Sequence, residues 1–178
     1  MPKKNRCVIL IDGSNFYFKL KNLKLHNLLK FDFSGFTKML ADKDEIYRTT
    51  YYIGAVRTDG TKKVKKLLSE QQKLFAHLTT DNIRYSLGYL LKTNGKFHEK
   101  GVDVQIAVDI LITTYENLAD RIILVSSDTD LIPAITQAQK KGKLIEYIGF
   151  AHQPSIAMQR HCSRFKMMTK KELLSFIK

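Results

Sequence analysis

This 178-residue sequence predicts an α/β fold with a mainly parallel sheet covered by helices on both faces. Three observations point there. A short apolar run without alternation at 6–11 reads as a strand buried on both faces, and 121–125 and 143–148 read as further strands. Segments with helical spacing fall between them. The two strongest runs end on acidic residues, Asp12 and Asp128, where the chain turns. In an open parallel sheet that is the edge where ligands gather.

The elements follow in order. After the strand at 6–11, a helix is expected from Ser14 through about Leu20. Residues 21–29 are rich in Leu and Lys and read as either loop or helix, and 34–40 as a short helix. Tyr47, Thr49, Thr50, Tyr51 and Tyr52 make 46–56 a strand, because β-branched and aromatic side chains suit a pleated surface. Thr61 can cap a helix in which Val64, Leu67, Leu68, Phe75 and Leu78 recur at helical spacing. Residues 83–91 form another strand. Thr93-Asn94-Gly95-Lys96 then carries a type I′ hairpin signal, with Phe97 and His98 on the return arm.

The clearest helix is 102–118, with an expected core stripe of Val104, Val108, Leu111, Tyr115 and Leu118. A strand at 121–125 and a helix at 131–141 follow. Pro133 is tolerated in that helix's first turn, where its missing N–H would have had no intrahelical partner. After the strand at 143–148 the pattern weakens beyond Phe150, with a terminal helix suggested at 172–177. There is no internal repeat, low-complexity tract or linker. One domain over 1–178 is the expectation.

Composition narrows the function. The hydrophobic fraction of 44% is ordinary for a globular chain. No apolar run approaches the roughly 18 residues of a membrane span, and the N-terminus reads as having no signal peptide. Two cysteines, Cys7 and Cys162, without metal-ligand spacing suggest a reduced, cytoplasmic chain. The net charge of +13 is the second strong signal. Basic residues cluster at Lys62, Lys63, Lys65 and Lys66, at Lys140, Lys141 and Lys143, and in the tail through Arg160, Arg164, Lys166, Lys170 and Lys171. Such a field attracts nucleic acid without specifying its sequence. A solvated basic surface is the bland alternative. A membrane surface fits less well, because no exposed aromatic edge accompanies the basic helix.

The acids carry the chemistry. Cys7-Val-Ile-Leu-Ile-Asp-Gly-Ser-Asn15 places Asp12 where a strand stops, with Asn15 one short turn on. Ile122-Ile-Leu-Val-Ser-Ser-Asp-Thr-Asp130 places Asp128 and Asp130 after a second strand. Each of these aspartates can simply cap the helix that follows. Two neighbouring carboxylates repel, however, unless a cation or proton intervenes. Lys100-Gly-Val-Asp103 opens the long helix, where the macrodipole favours an anion by about 0.3–1 kcal/mol. Asp109 lies roughly 120° around that helix from Asp103 and is the weaker candidate. If these acids meet, a hard divalent cation is the natural thing for them to hold.

The combination resembles the NYN domain, the LabA-like branch of the PIN-like nucleases. The matching pieces are Ile11-Asp-Gly-Ser-Asn15, Lys100-Gly-Val-Asp103 continuing to Asp109, and Val125-Ser-Ser-Asp-Thr-Asp130, in the family's order over about residues 8–149. The insertion at 21–29 and the extension at 150–178 fall outside the likeness. Ser127 stands where the family commonly has Gly. The resemblance implies a three-layer α/β/α, Rossmann-like (PIN-like) sandwich and a metal-dependent ribonuclease site. Carried over by position, Asp12, Asp103 and Asp128 would hold Mg²⁺ or Mn²⁺, with Asp130 supporting them. Asn15, Ser127 and Lys100 would lie on the substrate side. Lys62, Lys63 and Lys66, or the hairpin with Lys92, Lys96 and Phe97, would guide single-stranded or structured RNA. The products would carry 5′-phosphate and 3′-hydroxyl ends. DNA as a substrate and homo-oligomerisation stay open.

The competing readings are weaker. A non-catalytic RNA-binding or scaffold protein on the same fold is the main one. An adhesion-type metal loop needs a second serine where Phe16 stands. A haloacid dehalogenase phosphatase wants Asp-x-Asp after an early strand, whereas Asp128-Thr-Asp130 comes late. Gly13 alone does not make the glycine-rich turn of a dinucleotide site. His26, His77, His98, His152 and His161 show no ligand or triad spacing.

Overall fold

The computed structural model of the chain describes residues 5–57, 59–93 and 96–178, and the side chains of 90–99 lie outside that description. In chain order the elements are β1 (Arg6–Asp12), α1 (Gly13–Asn22), α2 (Phe33–Ala41), β2 (Glu45–Ala55) and α3 (Lys62–Thr80). Then come β3 (Arg84–Thr93), β4 (Lys96–Lys100), α4 (Val102–Tyr115), β5 (Arg121–Val125), α5 (Ile132–Lys140) and β6 (Leu144–Phe150). α6 (Ile156–His161), β7 (Arg164–Met168) and α7 (Lys170–Leu174) complete it, with 3₁₀ turns at Leu28–Lys30 and Thr129–Leu131.

Among the described residues the sheet has seven strands in the order β4-β3-β2-β1-β5-β6-β7. Every neighbouring pair is parallel except β3 and β4. The chain builds outward from β1 on one side, then crosses back to build outward from β5 on the other. The order therefore reverses between β1 and β5, and in sheets of this kind the crevice at the strands' carboxyl ends beside such a reversal is where ligands bind.

β1 shows why its sequence lacks alternation. Cys7, Ile9 and Ile11 enter one core with Phe16, Phe33, Phe36 and Leu74, while Val8 and Leu10 enter the other with Ile106, Ile110 and Ile135. Helices α1, α2, α3 and α7 thus cover one face, and α4, α5 and α6 the other. This is the predicted three-layer sandwich. Both cysteines are free and buried. Burial pushes the Cys162 thiol up to about 12 and raises that of Cys7 as well, so neither is a ready nucleophile.

Several expectations need correction. The buried face of α4 is Val102, Ile106, Ile110, Thr113 and Thr114, whereas Val104 is 68% and Tyr115 58% exposed. That helix is apolar nearly all round, so spacing alone could not choose its inward face. It also stops at Tyr115, with Asn117 at a φ of 52° in the turn that follows. Leu67 is outward on α3, and Gln71 takes a core position by donating to Gly54 O and accepting from Val56 N. Lys143 is not part of a basic surface. It is buried, and its Nζ donates to Ala119 O at 2.7 Å.

The tail is more ordered than its pattern suggested. β7 extends the sheet beyond β6, with Arg164 and Lys166 on the outer strand. The terminal helix is Lys170–Leu174, earlier than expected, because Thr169 and Glu172 form a capping box. Beyond it Phe176 packs on Phe31 and Phe36. Residues 21–29 divide between the end of α1, a loop and the start of the 3₁₀ turn at Leu28–Lys30. The Asn94–Gly95 turn and the side chains of Lys92, Lys96, Phe97 and His98 lie outside the described residues.

Candidate active site

β1 and β5 pair with Ile11 opposite Val125, so Asp12 and Ser126 leave the sheet side by side at the reversal of strand order. Asp12 is 5% exposed, and its two oxygens have different partners. Oδ1 accepts from the Asn15 N–H at 3.0 Å, which caps α1. Oδ2 accepts from the Ser126 hydroxyl at 2.8 Å. The same hydroxyl oxygen accepts from the Asp128 N–H at 3.1 Å. One fully buried serine thereby couples the acid of β1 to the acidic loop after β5. Nothing in the sequence alone marks Ser126 for this bridging role.

Gly13 allows the turn that aims Asp12. A Cβ there would lie 2.4 Å from Tyr51 Cε1 and 2.5 Å from the Tyr52 carbonyl oxygen. A side chain could yield, but the β2 backbone cannot without losing its ladder to β1. Gly13→Ala is therefore expected to lower stability by about 1–3 kcal/mol through overpacking. Denaturant titration checks this, and an unchanged midpoint would show that the strand end has room.

The other predicted residues of the loop converge here too. Asn15 Oδ1 accepts from the Ser127 N–H at 3.3 Å, tying α1 to the loop. Ser127 Oγ lies 2.9 Å from Tyr147 Oη on β6, so that side chain is held in place. Asp128 caps the following 3₁₀ turn by accepting from the Asp130 N–H at 2.9 Å. Asp130 itself is exposed.

Helix α4 approaches the crevice from one face. Gly88 makes the approach close, since a Cβ there would meet Val102 Cγ2 at 2.5 Å. Asp103 occupies the exposed first turn of α4, and Lys100 is exposed at the end of β4. Asp109 is drawn inward. It accepts from the Tyr52 hydroxyl and from Gln105 Nε2. Tyr52 is the register partner of Asp12, so the acid ranked weaker in the sequence is tied to the strand beside the site. Burial, reinforced by the Asp109 carboxylate, raises the Tyr52 phenol far above its ordinary value and keeps it a donor. Lys62, Lys63 and Lys66 are exposed in the first turns of α3, at the same end of the sheet but on its other face.

Asp12, Asn15, Ser126, Ser127, Asp128 and Asp130 are thus joined by hydrogen bonds, while Asp103 and the lysines have exposed side chains. Among the described residues no three His, Cys, Asp or Glu side chains are grouped so as to hold a metal ion. The donors have the right chemistry all the same. They are hard oxygens, and Mg²⁺ commonly takes one or two carboxylates together with waters and substrate phosphate. Asp12 and Asp128 meet that smaller requirement in kind.

An α/β sandwich with acids at its strand reversal belongs to the class of folds that bind ligands at that point. Within it, the chain belongs to the NYN domain family, whose model matches residues 6–169. That match includes β7, so most of the expected extension lies inside the family. Membership supports a nuclease-type function. A protein of unknown function from Vibrio parahaemolyticus has a similar fold. Identity is 21%, coverage is 94% of this chain and 95% of that one, and the TM-score is 0.72. The flap endonuclease of bacteriophage T5, in a complex with DNA and metal ions, aligns at 16% identity over 88% of this chain and 60% of its own, with a TM-score of 0.48. No curated protein sequence matches the chain. Among the described residues no helix is long and apolar enough to cross a membrane.

Proposed function

We propose that this protein is a metal-dependent ribonuclease that hydrolyses RNA phosphodiester bonds in the crevice between β1 and β5. The observation that carries the reading is the bridge from Asp12 through Ser126 to Asp128, in a chain of net charge +13. Asp12 and Asp128 would hold Mg²⁺ or Mn²⁺, with Asp103 as the further acid named by the resemblance. When bound, the cation supplies an acidified water and positive charge for the departing oxygen. Ser126 fixes the Asp12 carboxylate, Asn15 orients the loop, and Asp130 adds negative charge at the rim. Lys100 and the α3 lysines draw the polyanion toward the crevice.

Two measurements test this. Purified protein with single-stranded RNA and Mn²⁺ is expected to cleave, and Asp128→Asn to cleave at least about tenfold more slowly, a rise of roughly 1.4 kcal/mol in the barrier. Equal cleavage by both would place the activity elsewhere. Saturating Mn²⁺ at about 100 times its Kd should stabilise the fold by about 2.7 kcal/mol, or roughly 5–10 °C in Tm for a chain of this size. An unmoved Tm would count against the cation site. Because no three-ligand group stands among the described residues, one alternative is a non-catalytic RNA-binding or scaffold protein on the same fold. Binding without cleavage across metals and RNAs would select it.

A further inference from the structure

Beside the crevice, on the face that carries α1 and α3, a groove of about 850 Å³ begins at Gly13 and Ser14. We propose that it receives the unpaired bases of a single nucleic-acid strand whose backbone runs on to Asp12. The inference rests on the nuclease reading and names the form of substrate that the site takes.

The lining has the composition that base stacking needs. Phe18 is 58%, Leu29 43% and Leu67 38% exposed, and all three border the groove. Exposed apolar side chains gathered around one concavity mark a binding surface. Tyr17 lies edge-on to Phe18 at 5.6 Å and to His26 at 5.8 Å, so the Phe18 ring is braced. Flat rings that hold their orientation stack bases of any sequence.

Charge identifies the occupant as a polyanion. Lys24 lines the groove, and the Lys21 ammonium lies 6.0 Å from the Phe18 ring centroid. On α3 the groove-lining residues Leu67, Glu70 and Leu74 recur at intervals of three and four, and Lys63 precedes Leu67 by four on that row. Lys66 stands four before Glu70. Cations at the rim over an apolar floor match phosphates outside and bases inside. A duplex hides its base faces and offers such a groove nothing to stack. Glu70 is the opposing charge in the lining, and it makes a useful control.

The test uses the whole protein and a fluorescent single-stranded RNA in EDTA, so that binding is read without cleavage. Phe18 is mostly exposed, so Phe18→Ala keeps the fold, which circular dichroism verifies. It is expected to weaken binding by about 5- to 150-fold with an unchanged salt slope. Lys63→Gln should reduce that slope by about 0.7, the loss of one phosphate contact. Glu70→Gln should tighten binding, and a duplex of the same sequence should bind more weakly than the single strand. If Phe18→Ala and Leu67→Ala both bind like the unaltered protein, the groove does not take bases. Should cleavage in Mn²⁺ persist in that case, the nuclease reading stands and the groove alone is lost. Phe18-dependent binding with no cleavage by the unaltered protein would keep the groove and remove the nuclease reading. No binding by the unaltered protein overturns both.

Discussion

Asp12→Asn is expected to lower RNA cleavage at least about a hundredfold, because a cation's contribution to such a reaction is worth several kcal/mol. The substitution keeps the shape and removes the charge. The carbonyl oxygen of the new amide can still accept from the Asn15 N–H. Its NH₂ group then faces the Ser126 hydroxyl, which at present donates to Asp12. Ser126 Oγ has to accept instead, and its own proton loses its partner in a fully buried place. That costs about 1 kcal/mol of stability, or a few degrees in Tm. Activity and stability therefore separate, with a large loss in rate and a small shift in melting. Single-turnover cleavage and thermal melts on the same preparation measure both. A residual rate within about threefold of the original would remove Asp12 from the chemistry.

Arg121→Ala should produce the largest loss of stability. Arg121 opens β5 and is 8% exposed. Its Nε stands 2.9 Å from Asp44 Oδ2, and its Nη1 donates to Glu146 at 3.0 Å. Its Nη2 donates to Leu40 O and Ala41 O, the last carbonyls of α2. A cation at that end also complements the helix dipole. One side chain thus joins α2, the approach to β2, and β6. Truncation leaves Asp44 without this guanidinium, while Glu146 keeps Arg164 at 3.2 Å. Removing one partner of a buried pair costs about 3–5 kcal/mol, which corresponds to a Tm lower by roughly 10 °C or more. Arg121→Lys would recover little, since an ammonium cannot serve three acceptors and the Asp44 carboxylate spread around a planar fork. A fall of only one or two degrees would mean that water replaces the guanidinium at little cost.

Much of the frame was legible because local and global signals agreed. The run from Arg6 to Asp12 is apolar on both faces and stops at a residue that caps the next helix, so strand, turn and helix were all written locally. The same held for Arg121 to Asp128. What escaped depended on contacts between distant segments. Ser126 looks like any small polar residue until β1 and β5 are laid in register. Asp109 was ranked low on helical geometry relative to Asp103, and its link to Tyr52 on β2 could not be read along one helix. The inward face of α4 was misread because Val104, Val108 and Ile112 are as apolar as the residues that turn inward. β7 was invisible because Arg164-Phe-Lys166 reads as a basic loop, and only pairing with β6 makes it a strand.

That last strand ends the sheet on the β6 side. An outermost strand offers unpaired amide and carbonyl groups to any extended segment that drifts alongside, including the same strand of a second molecule. Two such strands meeting edge to edge would bring guanidinium and ammonium groups from both chains into opposition. Arg164 and Lys166 thus act as a guard rail that keeps this edge from growing into ribbons.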